Sequence, residues 1–113
     1  MKLLVVEAHK SNYPNPICFS KGDLLVTGKK DSEYEDWIWV ITADGNQGWA
    51  PVQCLEFREG SGKAVAKQDY TARELNTSIG DELILHYVLN DWGWVENSDG
   101  ACGWVPMKTT ITE

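Results

Sequence analysis

Basic residues are scarce in this chain of 113 amino acids: 10 Lys and Arg stand against 17 Asp and Glu, for a net charge of −7. So acidic a surface lacks the cationic face that displaces counterions from nucleic acid or an anionic membrane, and neither is an expected partner. Long apolar runs are missing as well, and no stretch approaches the roughly 18 residues of a membrane span. The opening Met1-Lys2-Leu3-Leu4-Val5-Val6 is basic then apolar. Glu7 interrupts it and no small-residue cleavage site follows, so it reads as a strand, not a signal peptide, and the expected compartment is the cytoplasm. Cysteine is limited to Cys18, Cys54 and Cys102, whose odd number and wide gaps give neither a closed disulfide set nor a Cys-x-x-Cys metal pair. Cys54 and Cys102 with a histidine would hold zinc only if the fold gathered them, since their spacing gives no support; reduced thiols packed as small hydrophobes are the expectation. The two histidines, His9 and His86, sit at unrelated positions, and no Cys, Ser or Lys has a base beside it in sequence. Gly-x-Gly-x-x-Gly and Gly-Lys-Ser are absent. No catalytic residue, cofactor or metal is therefore expected.

Against these absences stand 42% hydrophobic residues and six tryptophans, which mark a globular chain with a heavy aromatic content. The sequence also repeats. Lys21-Gly22-Asp23-Leu24-Leu25 aligns with Ile79-Gly80-Asp81-Glu82-Leu83 at an offset of 58. Trp37-Ile38-Trp39-Val40 aligns with Trp92-Gly93-Trp94-Val95 at an offset of 55, as do Asp44-Gly45 with Asp99-Gly100 and Gly48-Trp49-Ala50-Pro51 with Gly103-Trp104-Val105-Pro106. Four motifs in one order, twice, define two copies. The offset changes by three, so the second copy has lost three residues between Leu83 and Trp92, which marks a loop. Arg58-Glu59-Gly60-Ser61-Gly62 reads as the junction, giving expected domains at 1–58 and 63–113 with a short Gly/Ser linker over 59–62. The first copy through residue 58 carries 6 basic and 8 acidic groups and the remainder 4 and 9, so both are acidic.

Within each copy the apolar period is two, not 3.6. Leu24 and Val26 share one strand face; Leu83, Leu85 and Tyr87 share another. Trp37 and Trp39 alternate with Ile38 and Val40. Asp44-Gly45 and Asp99-Gly100 lie between apolar strands, where Gly supplies the positive φ of a tight hairpin. Gly48 and Gly103 precede a Trp inside a strand and predict a bulge or close backbone approach. Asp23 and Asp81 are expected to cap turns. Each copy gives about five short strands, the pattern of a small antiparallel barrel. The expected fold is thus all-β, two five-stranded antiparallel barrels in tandem.

The order of motifs resembles the Src homology 3 (SH3) family, in the variant form of small bacterial and archaeal proteins, and the resemblance covers nearly the whole chain. Copy two carries Ala66-Lys67-Gln68-Asp69-Tyr70, then Glu74-Leu75 and Gly80-Asp81; copy one matches less well at Val5-Val6-Glu7-Ala8-His9 and recovers at Phe19-Ser20-Lys21-Gly22-Asp23. Membership implies an aromatic groove that takes Pro-rich peptides in polyproline II form, with loop acids pairing a ligand Arg or Lys. In copy two it implies Tyr70, Trp92 and Pro106 as groove residues, with Asp69, Glu74 and Asp91 as acids. Gln68 and Thr109 replace two groove tyrosines. In copy one only Trp37 and Pro51 match; Glu7, His9 and Cys54 occupy other groove positions. The acids Asp31, Glu33, Glu35 and Asp36 fall in the n-Src loop, where Asp36 is the candidate beside Trp37. Tyr13 and Tyr34 are candidate replacement rings.

Two functions follow. One is a non-catalytic module that binds a protein or peptide, Pro-rich or basic. The other is an assembly module whose aromatic faces pack the copies together or build a dimer, with no free ligand.

Overall fold

The computed structural model describes residues 1–11, 15–33 and 36–113. Tyr13, Tyr34 and Glu35 lie outside the described residues. The fold is all-β. Its strands are β1 (Lys2–Val5), β2 (Cys18–Phe19), β3 (Leu24–Lys30), β4 (Trp37–Ile41), β5 (Gln47–Pro51), β6 (Leu55–Arg58), β7 (Lys63–Ala66), β8 (Tyr70–Thr71), β9 (Glu82–Leu89), β10 (Trp92–Glu96), β11 (Cys102–Pro106) and β12 (Thr110–Thr112). Two single-turn 3₁₀ segments, Val52–Cys54 and Met107–Thr109, each follow a proline that ends a strand. No helix among the described residues is long and apolar enough to cross a membrane.

The repeat is visible in the ladders. The tryptophan strand pairs with the Gly-Trp-x-Pro strand at Trp37↔Pro51 and Trp39↔Trp49 in copy one, and at Trp92↔Pro106 and Trp94↔Trp104 in copy two. The distal turns close with Gly45 and Gly100 at φ of +86° and +82°, as Asp-Gly predicts. Asp23 and Asp81 accept from the backbone N–H of Ser20 and Ser78 at 2.9 Å, the expected turn caps. The three-residue deletion in copy two leaves a two-residue hairpin at Asn90-Asp91, both at positive φ (50° and 68°). Asn and Asp are the non-glycine residues that best tolerate that conformation.

The division of the chain differs from the expected one. The five-stranded sheets have the orders β11-β10-β9-β1-β12 and β5-β4-β3-β7-β6. The first strand of each copy therefore lies in the sheet of the other. Leu3 pairs with Leu83 and Thr112, while Ala64 pairs with Leu25 and Phe57. The compact units are accordingly 15–72, and 1–14 joined to 73–113, in place of 1–58 and 63–113. Residues 59–62 are no linker: Gly60 and Gly62, at φ of +74° and +68°, turn β6 straight into β7. Ser61 donates from both its backbone N–H (3.1 Å) and its Oγ (2.6 Å) to the carbonyl of Arg58, which ties that turn.

Side-chain size explains the exchange. Leu3 and Val5 join Leu75, Leu83, Val95 and Val105 in one buried cluster. At the matching places in the other unit stand Ala64 and Ala66, also buried, in a core that includes Ile17, Phe19, Leu25 and Leu55. Pairing each copy with its own first strand would set alanines where Leu3 and Val5 fill space. It would also force the two larger side chains into positions occupied by alanine, and both errors are costly.

Candidate functional site

In the unit that contains β10, the arm after β1 runs beside the segment that precedes β9. His9 and Thr77 exchange backbone hydrogen bonds of 3.2 and 2.8 Å. Ser11 donates its N–H to Asn76 Oδ1 at 2.7 Å. Farther along, Arg73 and Leu75 bond across to Trp104. That approach is tight, because a Cβ on Gly103 would lie 2.9 Å from the Leu75 nitrogen, so Gly103 answers the expectation of close backbone contact.

These pairings set His9 and Glu74 together. His9 Nε2 lies 2.6 Å from Glu74 Oε1, with only 15% and 10% of the two side chains exposed. The imidazole meets the Trp92 indole edge-on, with ring centroids 5.6 Å apart and planes at 78°. Trp92 is half-buried and Asp91, next to it, is exposed. The Asp91 carbonyl accepts from Met107 N–H at 3.0 Å and fixes the turn under the ring. The result is a carboxylate, an imidazole and a flat indole in one place, on a rigid antiparallel frame. It offers hydrogen-bonding and stacking groups.

The predicted residues divide between the two units. Glu74, Asp91, Trp92 and Pro106 stay together. Tyr70, assigned to the same groove, lies instead in the unit of Trp37, Asp36 and Pro51, because its strand was exchanged. There it is buried to 7% exposure and packs on Phe19 at a centroid distance of 5.4 Å. His9 takes the corresponding place beside Trp92. Pro51 and Pro106 are buried, so they shape the strands under the tryptophans and do not present a ring to a ligand. In the second unit Pro16 stands where Glu74 stands in the first, so that acid has no counterpart; Asp36 is exposed beside Trp37. Glu33 is exposed, and its N–H donates to Asp31 Oδ1 at 2.8 Å. His9 escaped sequence reasoning as a partner of Trp92 because nothing in its own neighbourhood reports the exchange.

The remaining indoles pack on each other. Trp39 meets Trp49 edge-on at 5.2 Å and donates Nε1–H to Gln47 Oε1 at 3.0 Å. Trp104, almost fully buried, contacts both Trp94 and Tyr87. Among the thiols, Cys54 is buried and that burial pushes its pKa up.

The sequence profile of the variant SH3 domain matches residues 2–58, half of the chain. The chain belongs to the variant SH3 domain family. Curated proteins and solved structures returned no match. The matched segment of this variant SH3 protein contributes strands to both units, since β1 lies in one and β3 to β6 in the other. SH3-like domains serve as protein-binding or structural modules, and that is the role the family gives here.

Proposed function

We propose that the protein is a non-catalytic, cytoplasmic binding module that recognises a Pro-rich or basic segment of a partner protein. The surface around His9, Glu74, Asp91 and Trp92 is the working site. The observation that carries this reading is the convergence of Glu74 and His9 on a half-buried Trp92. An indole face accepts a proline ring at low entropic cost, and the neighbouring carboxylates attract an Arg or Lys. The Trp37 surface, with Pro16 in place of the acid, is the weaker site. The test is an NMR titration with Pro-rich peptides carrying Arg or Lys. Shifts should centre on the Trp92 indole and the His9 and Glu74 amides, be abolished by Trp92→Ala and survive Trp37→Ala. No shift at millimolar peptide retires the reading.

One observation favours assembly as a second reading. Ile84 and Ile111, on the strands that flank β1, are about half exposed, and Ile111 is paired with Leu4. Ile84 lies opposite Lys2 and Leu4 opposite Glu82, so these aliphatic side chains share their face with charged neighbours, a mixed surface that suits weak self-association. Sedimentation tests it: a monomer at high concentration excludes it.

A further inference from the structure

The three central strands of the β10 unit gather donors that lie apart in sequence. His86 is on β9, at the point where its register against β10 slips: Tyr87 faces Trp94 and Leu85 faces Val95, leaving His86 as the extra residue. Glu96 ends β10, paired with both Ile84 and Cys102, and Cys102 begins β11. A bulge re-aims the side chain it carries. Here His86 Nε2 comes within 3.3 Å of Glu96 Oε1, and one ligand atom from each of the three residues lies within 4.8 Å of the others. All three retain solvent access.

From this geometry we infer that His86, Glu96 and Cys102 form a site for a zinc-class divalent cation, with water in the fourth position. Tetrahedral zinc holds N and O at about 2.1 Å and S at about 2.3 Å, which sets its donors roughly 3.4–3.8 Å apart. The His86–Glu96 pair, at 3.3 Å, is already close to that spacing. Small rotamer changes of exposed His86 and half-buried Glu96 and Cys102 would bring in the thiol. An imidazole, a carboxylate and a thiolate together suit zinc far better than magnesium or calcium, which take oxygen ligands. Cys102 binds as thiolate, so each metal bound releases its thiol proton to solvent. The matching positions of copy one are Gly28, Ile41 and Gln47, which offer no such set. The cation would pin β9, β10 and β11 at the end of β10 opposite Trp92, so it acts apart from the peptide surface.

The test is titration of the intact, reduced protein with cobalt(II), followed by zinc. A single-equivalent thiolate-to-cobalt charge-transfer band, displaced by zinc, is expected. Cys102→Ser should remove the band, while Cys18→Ser and Cys54→Ser should leave it. His86→Gln, at an exposed position, should weaken cobalt binding at least tenfold, and this variant decides the matter if Cys102→Ser fails to fold. Absence of the band at millimolar cobalt, its persistence in folded Cys102→Ser, or unchanged affinity in His86→Gln overturns the site.

Discussion

Replacing Leu3 by Ala should loosen the unit that holds Trp92, Trp94 and Trp104 and spare the one that holds Trp37, Trp39 and Trp49. Leu3 has no solvent exposure and sits in the cluster of Val5, Leu75, Leu83, Val95 and Val105. Leu-to-Ala changes at such sites cost about 2–5 kcal/mol, with the value set by how far the cavity collapses. The unit spans 14 residues from the N-terminus and 41 from Arg73 onward, 55 in all. At about 0.05–0.15 kcal/mol per residue, its whole stability is roughly 3–8 kcal/mol. A loss of about 3 kcal/mol removes a large share of it. With a urea slope of about 1 kcal/mol/M, the midpoint of this unit should fall by about 3 M. The six indole N–H resonances, assigned by single Trp→Phe changes, report each unit separately through a urea series. In a linear tandem, Leu3 would belong with Trp37, Trp39 and Trp49, and these would melt first. That outcome would refute the strand exchange.

Gly103→Ala should cost about 1–3 kcal/mol, because the new Cβ meets the backbone nitrogen of Leu75, which cannot yield cheaply; urea unfolding measures it, and peptide affinity should fall with it as Glu74 is displaced. Gly100→Ala should cost about 1–2 kcal/mol through its left-handed backbone alone, since open space surrounds the position, and thermal unfolding checks this. Cys54 should resist iodoacetamide under native conditions while exposed Cys18 reacts readily. The raised Cys54 pKa also has a sign: the folded state holds that proton more tightly, so its contribution is intact below the ordinary thiol value and is lost as pH rises above about 8.5. A stability profile that climbed through that range in wild type, relative to Cys54→Ala, would contradict it.

Much of the architecture was legible because period-two patterns and Asp-Gly or Gly-Trp-x-Pro motifs act locally. Trp37 to Pro51 and Trp92 to Pro106 form hairpins around the Asp-Gly turns that the sequence marks, and the deleted loop lies where the offset changes. Partner choice for β1 and β7 was not local. Lys2-Leu3-Leu4-Val5 and Lys63-Ala64-Val65-Ala66 both satisfy the same edge in backbone terms, and only the volumes of Leu3 and Val5 against Ala64 and Ala66 separate them. A hairpin signal was nevertheless present: Gly60-Ser61-Gly62 sits between two alternating segments, Leu55 to Arg58 and Lys63 to Ala66, which is also how a turn reads. The candidate site inherited the same ambiguity. Glu74, Asp91 and Trp92 fall in one unit, since one stretch of chain carries them. Tyr70 and His9 changed places because each rides behind an exchanged strand. The donors His86, Glu96 and Cys102 share no sequence spacing and meet only through sheet register.

The turn at Gly60–Gly62 makes the two repeats inseparable. A gene shortened to either one would encode a leading ribbon too bulky, or too slight, for the only sheet left to receive it. A second copy of the same fragment would offer the same misfit, and only the other repeat carries the ribbon that fits, so the two fragments together would restore the pair. Duplication here did not yield two spare modules; it yielded mutual obligation, in which a change near residue 3 is felt a hundred residues away.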